Sequence, residues 1–529
     1  MNQLTNTQFV FEGKVKRTLM IGMALGLVCL VLTFFGDDAF HTRFWTNYLH
    51  NSVYFTGISF MALAFMCAQI VAFAGWMTAI KRVWEAMSMF ILVGIGLMAV
   101  LVIGVWGHFH HLYHWNTTGI NEVGNSLFDR IIAGKSSFLN PVWYTVGTVG
   151  FLALWYFWAI KIRQTSVDQD TKETASFDFY KKQRRWSASF LPIIGFLVCV
   201  FVWQSVMSID THWYSTMFAW YSMISMLLGA IAMAVMLIIY LKSKGYMEYV
   251  SRDHVHDVGK FLFGISVFWT YLWFDQFMLI WYSNNGEETI YFKERMVHYP
   301  VLFWGNLLLN FITPFLILMR NDTKRKYGIM FFVAAIVFFG HWFDFFYMIK
   351  PGARIAATEA MEEMHGGATS HEAAPMPSHK EATPAETPAA PETEVKHEGA
   401  AAAHSEGGKT PETVASAPAE AAAHETAHTA PAESEAKPEA HVAATHGDEH
   451  GHAAVDESKS FKLGYSFPGL EELGIMLGFL SLFLFVFFSN LAKASLIPWR
   501  DPYLEESLHH DTGALIDTEQ EEKMAHDHH

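Results

Sequence analysis

Asp275 lies in the run Phe268-Trp-Thr-Tyr-Leu-Trp-Phe-Asp275-Gln-Phe-Met-Leu-Ile-Trp-Tyr282, which offers a carboxylate no solvated face. A charge at mid-bilayer costs a few kcal/mol, so such a residue needs a reason. Tyr271, Asp275 and Tyr282 recur at spacings of four and seven, which puts them on one side of a helix. His341 and Asp344 are three apart and share a helix face. Ser208-Ile-Asp210-Thr-His212-Trp-Tyr214 sets another carboxylate beside another imidazole. His108 with His111, and His110 with His114, are further pairs at helical spacing. Imidazoles and carboxylates in such pairs can pass protons. Quinol oxidation also needs a proton acceptor at the ring hydroxyl.

These residues sit in a chain built for a bilayer. Of 529 residues, 52% are hydrophobic and only 16% charged, against about 25% charged in a typical soluble domain. A helix needs about 20 apolar residues to cross the hydrocarbon core. Ten stretches qualify, at about 17–35, 48–76, 86–106, 141–160, 187–208, 214–240, 258–282, 299–318, 328–348 and 470–490. The sequence therefore predicts an all-α polytopic membrane protein. Residues 1–350 form a nine-helix membrane domain, 461–492 hold the tenth helix and 493–529 a cytoplasmic tail. The segment 351–460 is rich in Ala, Glu, His and Pro with almost no aromatics, and reads as a disordered outer-side loop.

Lys and Arg favour the cytoplasmic side. One set of connecting segments carries 23 of them and the short segments of the alternate set carry 5, in phase through all ten spans. Both termini are thus expected in the cytoplasm. Asp210, His212, Asp275, His341 and Asp344 then fall in one outer-side layer, with Asn306 and Asn310 deeper in the eighth span.

Several polar residues have plainer readings. His41, His50 and His114 read as interfacial histidines bridging water and headgroups, and Glu85 beside Arg82 as a surface pair. Glu287 and Glu288 suit either a solvated loop or a site. The run His446 to His452 and the tail His526, His528 and His529 read as solvated low-complexity sequence rather than metal sites. Cys29, Cys67 and Cys199 lie in apolar runs with no CxxC pair, so no cysteine-ligated cluster, zinc ribbon or covalent haem is expected. A b-type haem wants facing histidines at mid-depth, and only His212 and His341 are candidates, so haem is not expected here. Basic patches for nucleic acid are absent.

The stretch from His254-Val-His-Asp257-Val-Gly-Lys-Phe-Leu-Phe on to Asp275-Gln-Phe-Met-Leu-Ile-Trp-Tyr282-Ser-Asn-Asn-Gly-Glu287-Glu288-Thr resembles the NrfD-like (polysulfide-reductase membrane subunit) family. It is most similar to the version in alternative complex III, a bacterial quinol:cytochrome c oxidoreductase. Ser208 to Phe218, Pro314-Phe-Leu-Ile-Leu-Met-Arg320 and His341-Trp-Phe-Asp344-Phe-Phe-Tyr347 fit the same subfamily. Together they cover about 187–350, and the first four helices resemble it more weakly.

The resemblance implies two four-helix bundles plus flanking helices. It also implies a bacterial inner (cytoplasmic) membrane setting, amid lipids and partners: a paralogous NrfD-like subunit, an iron–sulfur protein and cytochrome c subunits. Haem and iron–sulfur clusters would reside in those partners, with no covalent cofactor here and quinone, such as menaquinone, as the possible ligand. The long His/Ala/Glu-rich insert looks more like the second of the two NrfD-like subunits, the one further from the clusters. By motif, Asp210, His212, Asp275, His341 and Asp344 become candidates for proton transfer or quinol contact, whereas His108 to His114 match nothing clearly. A secondary transporter and a structural scaffold with a vestigial site are the alternatives; no convincing internal repeat supports the first.

Overall fold

A computed structural model describes residues 8–36, 40–125, 127–172, 176–364 and 461–511. Its helices are α1 (Gly13–Phe35), α2 (Thr42–Val71), α3 (Gly75–Trp106), α4 (Pro141–Asp170), α5 (Phe177–Ile209), α6 (Thr216–Ser243) and α7 (Arg252–Ser283). They continue with α8 (Gly286–His298), α9 (Pro300–Leu318), α10 (Tyr327–Met364) and α11 (Leu470–Leu491). All but α8 are long and apolar enough to cross a membrane, giving the ten spans the composition predicts. At 1.5 Å per residue, 32-residue α7 is about 48 Å long, more than the roughly 30 Å hydrocarbon core.

Helices α2 to α5 close one four-helix bundle and α6, α7, α9 and α10 close a second. The bundles meet where α2 packs on α6 and α10, and α5 on α6. Helices α1 and α11 pair with each other and flank α2. That pairing is backbone-close: a Cβ added to Gly478 would lie 2.6 Å from the Cα of Gly26. Gly22 and Gly26 on one helix, with Gly474 and Gly478 on the other, form the small-residue seam that substitutes for hydrophobic driving force in lipid.

The third helices of the two bundles share a device. Both start on Asn140-Pro or Tyr299-Pro with proline at the first helical turn, and both contain a single π-turn, at Val146–Gly150 and Leu308–Ile312. Proline is at home there because its missing N–H has no intrahelical partner to lose.

The Lys/Arg-rich ends are clasped by buried charge. Lys81 Nζ reaches Asp501 Oδ2 at 2.5 Å, and Arg82 pairs with Glu85 at 2.8 Å and with Asp170. Arg82 and Glu85 are 2% and 1% exposed, so the expected surface pair is an interior one, enclosed because α4 returns across it. The start of the tail docks here as well: Ser507 donates to the Trp76 carbonyl at 2.7 Å and His510 lies 2.8 Å from Asp257.

At the other end, Arg43 donates to Glu472 at 2.8 Å and Asn47 donates to the same oxygen at 3.0 Å. Helix α10 runs through Pro351 to Met364, past the edge at which a loop is expected. It continues because Lys350 Nζ donates to Thr46 at 2.9 Å and the next turn stays buried, from Gly352 to Ala357 apart from Ile355. Residues 365–460, with the run His446 to His452, and the tail histidines His526 to His529 lie outside the described residues.

Candidate functional site

Asp344 lies at the centre of the second bundle and is 0% exposed. Each of the other three helices of that bundle sends it a donor. On α6, one turn apart, the Tyr221 hydroxyl donates to Oδ1 and Ser225 Oγ donates to Oδ2 at 2.8 Å. Trp269 Nε1 of α7 donates to Oδ2 at 3.1 Å, and Asn306 Nδ2 of α9 donates to Oδ1 at 3.1 Å. Each carboxylate oxygen thus receives two donors. Four donors and no acceptor form the set that a carboxylate, which only accepts, can satisfy.

His341 sits one turn back on α10, also 0% exposed, with Nδ1 at 3.0 Å from Ser225 Oγ and 3.9 Å from Asp344 Oδ2. Ser225 has one hydroxyl proton, and Asp344 takes it. Its oxygen then accepts from Nδ1–H, which fixes the tautomer and leaves Nε2 a bare acceptor. Nε2 has no hydrogen-bond partner among the described residues. A proton arriving there can pass through the ring to Ser225 and Asp344 by exchanging which bonds are covalent. The π-turn of α9 re-aims Asn310, which donates to the Gly340 carbonyl at 3.0 Å, one residue before His341. Single π-turns recur at functional sites.

A second cluster lies toward the expected outer end. Arg295 of α8 is 1% exposed and donates from Nη2 to Asp210 Oδ2 at 2.8 Å. Its guanidinium lies 3.5 Å over the Tyr291 ring, which stacks on Trp213 at 3.9 Å. Burial alone would pull the Arg295 guanidinium down, but the Asp210 charge outweighs it and holds the group above its ordinary value. Burial likewise pushes the Tyr291 phenol up. Gly352 is required here, because a Cβ would stand 2.6 Å from an Asp210 carboxylate oxygen. Between the clusters stands Tyr347, one turn beyond Asp344, 1% exposed, its hydroxyl without a partner among the described residues.

His341 and Asp344 therefore meet as their spacing predicts, and Asp210 lies on the same side but in the neighbouring cluster. His212 does not join either. It is half-exposed, and its Nε2 lies 2.7 Å from Asp129 Oδ2. Asp129 is a helix cap: its carboxylate also accepts from the N–H groups of Ile131 and Ile132. Burial would raise the Asp129 carboxyl, but the His212 bond and those N–H groups hold it below the usual carboxylate range. His212 fastens a loop.

Asp275 does not join either. It is half-buried on the face of α7 turned away from the bundle, and no hydrogen bond or ion pair reaches it among the described residues. Trp269 and Gln276 occupy the inward face instead.

The histidines near the expected outer end divide likewise. His50 is no interfacial bridge; it is 0% exposed and donates to the Trp342 carbonyl at 2.8 Å, because α2 lies between the bundles. His41 takes a left-handed backbone, φ 52°, and stacks on Phe34 at 3.6 Å. Helix α3 stops at Trp106, so His108, His110, His111 and His114 do not share a helix face. His110 alone is buried; burial pushes its imidazole down to about 4.

Sequence reasoning left Tyr221, Ser225, Trp269 and Arg295 out of the site. The spacing of four between Tyr221 and Ser225 was available, but no property of α6 alone points it at α10. Asn306 and Asn310 were visible only as polar residues at depth.

Fold and site together define a polytopic α-helical membrane protein with an enclosed, fully hydrogen-bonded carboxylate in its second bundle. No protein-family profile and no curated protein sequence matches the chain.

Proposed function

We propose that the chain is an integral membrane subunit of a quinol:cytochrome c oxidoreductase of the alternative complex III type, and that it carries protons rather than oxidising quinol itself. The observation that carries this reading is Asp344, 0% exposed and held by four donors from the three other helices of its bundle. A quinol ring would have to part packed helices to reach it. A proton needs only the relay His341–Ser225–Asp344–Tyr221, then Tyr347 and the Arg295–Asp210 pair toward the outer end.

In this reading the Asp344 carboxylate accepts a proton from the Ser225 hydroxyl as His341 refills it. The Tyr347 hydroxyl, which bonds neither cluster, marks the gap that a water would bridge, and Asp210, 17% exposed in its side chain, would deliver the proton outward. The chain is no enzyme alone: electrons would pass through haem and iron–sulfur clusters in partner subunits, with quinone bound by the paralogue. The motifs from Ser208 to Tyr347 support that setting, as does the Lys/Arg asymmetry for a bacterial inner membrane with cytoplasmic termini.

Mild solubilisation of native membranes, followed by purification on this chain, tests the assignment. Covalent haem and iron–sulfur subunits should accompany it in fixed ratio. A chain that isolates alone, as a secondary transporter would, overturns the assignment.

A further inference from the structure

Helix α7 carries two seams. Facing the bundle, Leu262, Ser266, Trp269, Trp273, Gln276 and Ile280 recur at alternating spacings of four and three, and all are buried. The opposite face repeats the same spacing with Gly264, Phe268, Tyr271, Asp275, Met278 and Tyr282, and none of these is buried. Tyr271 is 58% and Tyr282 84% exposed. Alternating fours and threes are the register by which one helix holds another in a left-handed pair.

Lipid would account for Phe268 or Met278, but not for Asp275. Its carboxylate stands eight residues before the end of α7 at Ser283, about 12 Å down the helix, and nothing described bonds it. Facing hydrocarbon, a charge there is strongly disfavoured. Lower on the seam the surface is concave. A Cβ at Gly264 would meet nothing within 4 Å, and the residue opens on a cavity of about 380 Å³ lined also by Trp76, Phe261 and Ile265, with the paired Asp257 and Lys260 at its edge. Small residues at such a place let a second helix backbone approach closely.

We propose that this outer seam of α7 seats a transmembrane helix of a partner subunit, close-packed at Gly264 and presenting a lysine or arginine to Asp275. Charge complementarity selects this occupant. A second copy seated about a two-fold axis would set Asp275 against Asp275, which repels. The inference deepens the complex-subunit reading, since it names the surface through which a partner is held.

Photo-crosslinking in native membranes tests it. The full chain carries p-benzoylphenylalanine at Met278, and at Leu316 as a lipid-facing control on α9. The Met278 probe should capture a different polypeptide through a membrane-length apolar peptide with a Lys or Arg within a turn of the adduct, and Leu316 should capture lipid. Asp275→Leu should cut the Met278 adduct at least tenfold with no loss of thermal stability, because the carboxylate bonds nothing in its own chain; Asp275→Asn should cut it less. Adducts to lipid, quinone or a second copy alone overturn the proposal, as does an unchanged yield in Asp275→Leu. Should the captured partner belong to an assembly without haem or iron–sulfur groups, the respiratory assignment fails while the seam stands.

Discussion

Replacing Arg295 with leucine should destabilise the protein far more than losing one surface charge would. The guanidinium is 1% exposed, bonds Asp210 at 2.8 Å and lies 3.5 Å over the Tyr291 ring. Removing one partner of a buried pair costs about 3–5 kcal/mol, because the other charge is stranded. The Asp210 side chain keeps 17% exposure, which places the loss near the lower end, about 3 kcal/mol. The cation–π contact adds about 1–2 kcal/mol when desolvated. The total, about 4–5 kcal/mol, is a large part of the 5–15 kcal/mol that holds a typical domain. Thermal unfolding in detergent should show a drop of several degrees for Arg295→Leu and a smaller one for Asp210→Asn. The double variant Arg295→Leu/Asp210→Asn should recover at least half of the Arg295→Leu loss, since no charge is stranded. An unshifted melting point for Arg295→Leu, or strictly additive losses, would refute the reasoning.

Asp501→Ala strands Lys81 Nζ in a buried site and should free the tail segment 493–511, read as faster limited proteolysis there, at a cost of about 3–5 kcal/mol. Gly26→Leu cannot fit against Gly478 and should separate α1 from α11, seen as a lower melting point and faster maleimide labelling of Cys29. His110 is held neutral with its imidazole down at about 4, so the unfolded chain binds the proton first as pH falls. Stability at that loop is therefore full above pH ~6.5 and falls toward pH ~4, by roughly 3 kcal/mol, and the amide-exchange protection factors around residues 107–113 should fall across that window. His110→Gln should flatten the dependence.

The ten spans were legible because a bilayer imposes their length and apolar composition. The edge at Pro351 was not, since proline ordinarily ends a helix and only contacts from other helices, Lys350 to Thr46 among them, show that this one continues. The His341–Asp344 pair was legible because it lies within one helix. Its partners Tyr221, Ser225, Trp269 and Asn306 come from three other helices, and no single-helix period encodes which of them converge. Asp275 illustrates the converse. An unbroken apolar run reveals that a carboxylate is costly, yet it does not reveal which face carries it, and here that face is the outer one. Arg295 looked like an ordinary loop cation because α8 is short and polar, and its burial arises only when α8 folds over Asp210.

The proposed proton-carrying role of Asp344 is tested most directly by proton movement after a quinol pulse in vesicles containing the purified complex. In Asp344→Asn the amide oxygen can still accept from Ser225 and Trp269, so the complex should assemble. Quinol:cytochrome c electron transfer should then run without the transmembrane proton movement seen in the wild type. Undiminished proton movement per electron in a fully assembled Asp344→Asn complex would contradict the account.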